Sequence, residues 1–279
     1  MKIGAAGRGF LLCVLAVAGL GPAAALDLAG PVTQGGLVVG RVEPGARVAL
    51  DGRALRVAAD GRFLLGFGRD HGPKAELKII APDGRETVRP LAVAKRRYLI
   101  QRIEGLPQAL VTPDAATAQR IKDDRDVIAA ARGHDDADLR LGQGFVWPAA
   151  GPVSGVYGSQ RILNGAARAP HVGLDIAGPE GAPVVATADG VVALARDDMV
   201  LTGKTVIIDH GHGLTTSYVH LSEVSVSAGA HVRQGAPIGR IGKTGRVTGA
   251  HLHWGVHLFD VALDPALLVP GSPDPARNP

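Results

Sequence analysis

Two histidines separated by one residue stand in the stretch Ala250-His251-Leu252-His253-Trp254-Gly255-Val256. The run is apolar and reads as a β-strand. Residues two apart on a strand point to one face, with Cα atoms roughly 7 Å apart. One imidazole can therefore bind a metal while the other acts on a water beside it. Upstream lies a second cluster, His171-Val172-Gly173-Leu174-Asp175, and between the two is Tyr218-Val219-His220-Leu221. These residue types could supply two imidazole ligands, one carboxylate ligand, an open fourth position and two spare histidines for proton transfer. That is the inventory of a hydrolytic zinc site.

Other chemistries fail on spacing. No serine sits in G-x-S-x-G, so a strained nucleophile elbow is missing. Gly242-Lys243-Thr244 ends like a phosphate loop, but Pro237 stands where its first glycine belongs; Gly203-Lys204-Thr205 fails likewise at Asp198. There is no H-E-x-x-H helix. The only cysteine, Cys13, lies in the N-terminal leader, so disulfides, a thiol nucleophile and thiolate ligands are excluded from the rest.

Residues 1–25 read as a secretory signal. Lys2 and Arg8 are followed by the apolar run Phe10 to Leu20 and by Ala23-Ala24-Ala25, an A-x-A cleavage site. Export is expected, with no stable membrane span after cleavage. Loss of Lys2 and Arg8 takes the formal charge of +4 to +2, too slight to argue for nucleic acid.

The elements that must position the site are short strands. Residues 26–97 carry apolar runs at Leu37-Val38-Val39, Arg47 to Leu50, Leu55-Arg56-Val57, Phe63-Leu64-Leu65 and Leu77 to Ile80. Pro44-Gly45, Asp51-Gly52, Asp60-Gly61 and Asp83-Gly84 punctuate them, and Asp-Gly between such runs marks tight hairpins. A small β-sandwich-like domain is expected there, structural or docking in role. Residues 98–140 form a connector. Its helix is expected over 113–132, with Thr112 as N-cap, Pro113 in the first turn and Gly133 as the stop. Ala118, Ile121, Ile128 and Ala131 make a narrow apolar stripe, for packing on a neighbour or for shading a groove. From 141 to 270 the β-runs are Val184-Val185-Ala186, Gly190 to Leu194, Thr205 to Ile208, Thr216 to His220, Pro237 to Ile241 and His251 to Leu258, separated by glycine-rich turns. A compact, largely antiparallel domain follows. Residues 271–279 are a polar, Pro-rich tail, expected to be disordered.

Asn164-Gly165, His171 to Asp175, Tyr218 to Leu221, Gly242-Lys243-Thr244-Gly245 and Thr248-Gly249-Ala250-His251-Leu252-His253, in this order, resemble the lysostaphin-type zinc metalloendopeptidases. Those bacterial enzymes cut peptide links in peptidoglycan. The resemblance spans roughly Phe145 to Pro265 and leaves the N-terminal domain out. It implies an open antiparallel β-sheet with a groove, and one Zn2+ per chain held by His171, Asp175 and His253. It implies His251 as the base, and His220 as the second non-ligand histidine, orienting water or stabilising the oxyanion. Tyr218, on the strand face assigned to His220, is expected to line the groove. Arg161 and Asn164 are candidate substrate contacts, and His210 a candidate for orienting the ligands from behind. His257 shares the face of His251 and His253 but lies too far along to bind the metal. His71, His134, His231 and His212 are expected to be structural. Gly255 departs from the pattern, since many relatives carry Glu there.

The expectation is an exported, wall-associated zinc endopeptidase, periplasmic or extracellular, acting on peptide stems and crosslinks. A protein partner would meet the N-terminal domain. The rival is a non-catalytic wall-binding or hydrolase-activating protein on the same fold, and the full ligand set argues against it.

Overall fold

The computed structural model describes residues 26–103, 114–142, 144–163, 165–167 and 169–272. The leader, Thr112, Pro113, Asn164 and residues 273–279 of the tail lie outside the described residues. No helix among the described residues is long and apolar enough to cross a membrane.

The N-terminal part is built from β1 (Asp27–Ala29), β2 (Leu37–Arg41), β3 (Arg47–Leu50), β4 (Arg53–Leu55), β5 (Arg62–Gly66), β6 (Lys74–Ile80) and β7 (Glu86–Ala92). One sheet has the order β1-β2-β5 and the other β4-β3-β6-β7. Val38, Phe63 and Leu65 of the first share one core with Val48, Leu77 and Ile79 of the second, which is the expected sandwich-like arrangement. Asp51 and Gly52 turn the β3–β4 hairpin at φ 48° and 80°, the left-handed pair that a two-residue hairpin needs. β7 contains Pro90 and has no apolar alternation, so its sequence hides it. It lies at the sheet edge, where a missing N–H is tolerated.

The connector contributes β8 (Ile100–Ile103) and α1 (Ala115–Arg132). Asp114, not Thr112, caps α1: its side chain accepts from the Thr117 amide at 2.8 Å. Gly133 ends it in the right-handed region at φ −77°, so its freedom at positive φ is not used. Ile128 and Ala131 pack against Leu194, Met199 and Ile207.

The remaining strands are β9 (Val153–Gly155), β10 (Gln160–Leu163), β11 (Ala166–Ala167), β12 (Leu174–Ala177), β13 (Pro183–Val185), β14 (Gly190–Met199), β15 (Gly203–Asp209), β16 (Leu214–Val224), β17 (His231–Val232), β18 (Pro237–Ile241), β19 (His251–Leu258) and β20 (Val261–Leu263). The main sheet is open and runs β17-β14-β15-β16-β19-β12-β9. β18 joins β16, β13 joins β18, and β20 joins β19. β8 pairs in parallel with β10, which ties the connector to the loop ahead of His171. Register defines two faces. Leu174, Trp254, Tyr218 and Val206 lie side by side and are buried in the large core. Asp175, His253 and Val219 lie side by side on the opposite face, as do Ile207, Ser217 and Gly255. α1, through Ile128 and Ala131, covers the Ile207 end of that second face.

Candidate metal centre

β12 and β19 are direct neighbours, with Asp175 opposite His253 and Ala177 opposite His251. Period-two alternation then puts Asp175, His251 and His253 on one face, while Leu252 and Trp254 anchor β19 in the core. His171 approaches from the loop before β12. Its Nε2 is 3.1 Å from Asp175 Oδ1 and 2.9 Å from His253 Nδ1, and His253 Nδ1 is 2.8 Å from the same carboxylate oxygen. Among the described residues, these three side chains form the one group whose donor atoms could hold a metal ion.

Two glycines make room. A Cβ on Gly155 would sit 2.1 Å from Asp175 Oδ2, and one on Gly173 would sit 2.6 Å from His253 Nε2. Any side chain at either position would fill the space that the carboxylate and the imidazole occupy.

Backbone carbonyls set the histidine tautomers. The Nδ1–H of His171 donates to the Val156 carbonyl at 3.0 Å, which leaves Nε2 with its lone pair toward the cluster. His251 donates from Nδ1 to the Gly249 carbonyl at 2.9 Å, and its Nε2 is 3.8 Å from Asp175 Oδ1. His220 donates from Nδ1 to the Thr244 carbonyl at 2.9 Å. Its ring lies 5.0 Å from that of His251 and 6.2 Å from that of His253.

His220 reaches this face through a backbone irregularity. It has φ +67°, and the pairing of β16 shifts register on both sides of it. A non-glycine residue held there is strained, and such positions cluster at functional sites. The loop that receives it is Gly242-Lys243-Thr244-Gly245. The Thr244 hydroxyl donates to the Leu221 carbonyl and accepts from the Lys204 amide. Gly203 and Gly245 let the two loops touch, since a Cβ on Gly203 would lie 2.2 Å from Thr244 Oγ1. The motif that fails as a phosphate loop thus buttresses His220. The signal was present as Gly-Lys-Thr-Gly, but its service is by backbone, which residue type does not reveal.

The electrostatics follow from burial against hydrogen bonding. Burial alone would raise the Asp175 carboxyl, but the His171 and His253 rings beside it outweigh burial and hold it far below the usual range. Burial lowers His253, partly offset by Asp175. Burial lowers His220 to about 4, so its ring is neutral near pH 7. A His253 imidazole held neutral beside an ionised carboxylate is what a divalent cation requires of its ligands.

Some expected residues are elsewhere. Tyr218 does not line the groove. It is fully buried on the core face, where its oxygen accepts from the Thr187 amide at 2.9 Å and from the Thr216 hydroxyl at 3.0 Å. The expectation assumed regular alternation to His220, and the irregularity at His220 breaks it. His210 is not behind the ligands either. It lies on the core side between the Asp189 carbonyl and Thr216 Oγ1, at 2.6 and 2.8 Å. His257 is buried and lies outside the ligand group. His210 and His212 flank Gly211 in the β15–β16 turn, with His212 at φ 55°. Arg161 falls on β10, whose arginine side chain lies outside the described residues, as does Asn164.

A profile described as peptidase family M23 matches residues 169–265. Over 86 residues the chain is 48% identical to the peptidoglycan DD-endopeptidase ShyA of Vibrio cholerae, covering 31% of this chain and 20% of that protein. Over 154 residues it is 32% identical to the cell division protein DipM of Caulobacter vibrioides, covering 52% of this chain and 24% of that protein. The chain therefore spans only a fifth to a quarter of these relatives. A Pseudomonas aeruginosa structure classed with peptidase M23 matches 84% of this chain and 93% of its own, at 30% identity and a TM-score of 0.65.

Proposed function

The chain belongs to peptidase family M23, and from that premise we propose that it is a zinc endopeptidase that hydrolyses peptide crosslinks in peptidoglycan. The observation that carries this reading is the convergence of His171 Nε2, His253 Nδ1 and Asp175 Oδ1 within 3.1 Å of one another, with His220 and His251 beside them. Two imidazole nitrogens and one carboxylate oxygen suit zinc and leave a coordination position open. His171, Asp175 and His253 would hold the ion. When bound, zinc supplies a Lewis acid and brings the pKa of water to about 7.

The chain's own groups would do the rest. His251, fixed by its Nδ1–H on Gly249, presents the Nε2 lone pair that takes a proton from the attacking water and later delivers one to the leaving amine. His220, neutral and fixed on Thr244, accepts a hydrogen bond at Nε2 and so orients that water. Asp175 stays ionised throughout.

We place the activity outside the cytoplasmic membrane, in the periplasm or at the wall, on the sequence of residues 1–25. Residues 26–97 would form a β-sandwich unit that meets a protein partner, and 141–270 the peptidase domain. The test is release of soluble muropeptides from purified sacculi, with zinc, beside the His253→Ala variant. Loss of crosslinked dimers with the unaltered protein alone is expected. Silence from the folded, zinc-loaded unaltered protein would leave the wall-binding alternative standing.

A further inference from the structure

Asp175 and His253 are set in place by the register of β12 against β19. His171 is not, because it stands in the loop ahead of β12. A turn at residues 156–159 holds it instead, at three points. The Val156 carbonyl accepts from the ring Nδ1–H at 3.0 Å. The Gly158 amide donates to the His171 carbonyl at 2.8 Å, and the His171 amide donates to the Ser159 carbonyl at 2.9 Å. The turn closes on itself through the Ser159 hydroxyl, which donates to the Val156 carbonyl at 3.1 Å. The position of the first metal ligand is therefore the position of this turn.

The turn is held in its place by the N-terminal sandwich. Arg69, in the loop between β5 and β6, donates from Nε to the Gly158 carbonyl at 2.8 Å. Tyr157, Gly158 and Ser159 are buried, and a buried carbonyl that loses its donor is costly. Two further contacts fix the guanidinium. Its Nη1 donates to Asp70 at 2.6 Å, and it lies over the Tyr98 ring at 4.6 Å from the centroid. Tyr98 meets Tyr157 edge to face, with centroids 6.1 Å apart, and the Tyr157 hydroxyl donates to the Ala262 carbonyl at 2.8 Å. Gly158 has φ +79°, and a Cβ there would sit 2.2 Å from Tyr98 Cδ1. Sandwich, connector and peptidase sheet thus meet at the turn, and two hydrogen bonds link Arg69 to the backbone of His171.

We propose that Arg69 is a positioning residue of the metal centre. By fixing the turn at 156–159 it fixes His171, so the sandwich helps to set how tightly the ion is held. Without the guanidinium, the turn and its histidine must be ordered when the ion binds, and that ordering is subtracted from affinity. The inference rests on the reading of His171 as a ligand.

The test measures metal affinity. The purified full chain, freed of metal, is titrated with zinc against a chromophoric chelator, and the visible spectrum of the cobalt-loaded protein reports ligand geometry. Arg69→Met keeps the apolar stem and loses every donor. It is expected to bind zinc about tenfold more weakly than the parent, with an altered cobalt spectrum. Arg69→Lys restores a donor for the Gly158 carbonyl and should recover most of that loss. Arg56→Ala breaks a different tie of the sandwich, the bidentate pair with Asp135 at 2.7 and 2.8 Å, and should bind zinc like the parent. Tyr98→Leu removes the ring under the guanidinium. It should weaken zinc in the same direction, and it decides the matter where Arg69→Met does not fold. Zinc affinity in Arg69→Met within about twofold of the parent, or an equal loss in Arg56→Ala, overturns the inference. A folded parent that binds no zinc overturns the metal reading itself, and the inference with it.

Discussion

Three of the four imidazoles of the cluster are bound twice over, once by their strand or loop and once by a carbonyl. His171, His220 and His251 all donate from Nδ1 to main-chain oxygens of Val156, Thr244 and Gly249. The residue types were legible in the sequence, whereas these acceptors were not, because any residue has a carbonyl. His210 shows the opposite case, a histidine whose spacing suggested chemistry and whose environment is purely structural. It is fully buried, and burial lowers it to about 4. A base lowered in the folded state stays neutral while the unfolded chain protonates at about 6.5. Stability is therefore complete above pH 6.5 and is lost as pH falls toward 4, by on the order of 3 kcal/mol for this residue. Urea unfolding at pH 7 and pH 4.5 should show that loss, and His210→Gln should make it smaller by this residue's share, while His220, likewise lowered to about 4, keeps its own. An unchanged difference in the variant would mean that His210 contributes none of it.

At the scale of elements, β19 carries most of the information. Its first half alternates between half-buried histidines and buried Leu252 and Trp254. From Gly255 on, both faces are buried. The alternation could be read directly; the change could not, because it depends on what the rest of the chain packs over the second face. Ile207, fully buried on that face and packed against the helix, is the residue through which this contact acts. Ile207→Ala should cost about 2–5 kcal/mol, as other buried large-to-small changes do. Chemical denaturation checks it, and faster amide exchange in residues 115–132 should accompany it. Stability loss below 1 kcal/mol would mean that the helix is not held there. β12, which delivers Asp175, is only four residues long and was not evident as a strand. Its pairing with β19 makes it one.

At the scale of the whole chain, the sandwich and the large sheet are not beads on a string. Leu37 and Leu64 belong to the same packed core as Trp254 and Leu258. Arg96 pairs with the nearly buried Asp264 at 2.7 Å, and the Asp264 amide donates to the Gly35 carbonyl. Asp264→Ala removes that partner from a half-buried arginine, and a cost of about 1–3 kcal/mol is expected after solvent screening. The sign to look for is a lower thermal midpoint with earlier proteolysis in residues 98–140. Proteolysis unchanged at equal stability would show that the two parts dock without this pair.

The order and identity of the metal-site residues, the many short strands and the Asp-Gly hairpins were determined by the sequence itself, because they depend on side-chain chemistry and on backbone freedom over a few residues. Three things were decided only by tertiary structure. Tyr218 went to the core and His220 to the site, because strand pairing shifts register there and forces a positive φ. Asp114 rather than Thr112 capped α1, by a margin of two residues that local sequence does not resolve. α1 came to lie on Leu194, Met199 and Ile207 through long-range packing, which no local pattern encodes.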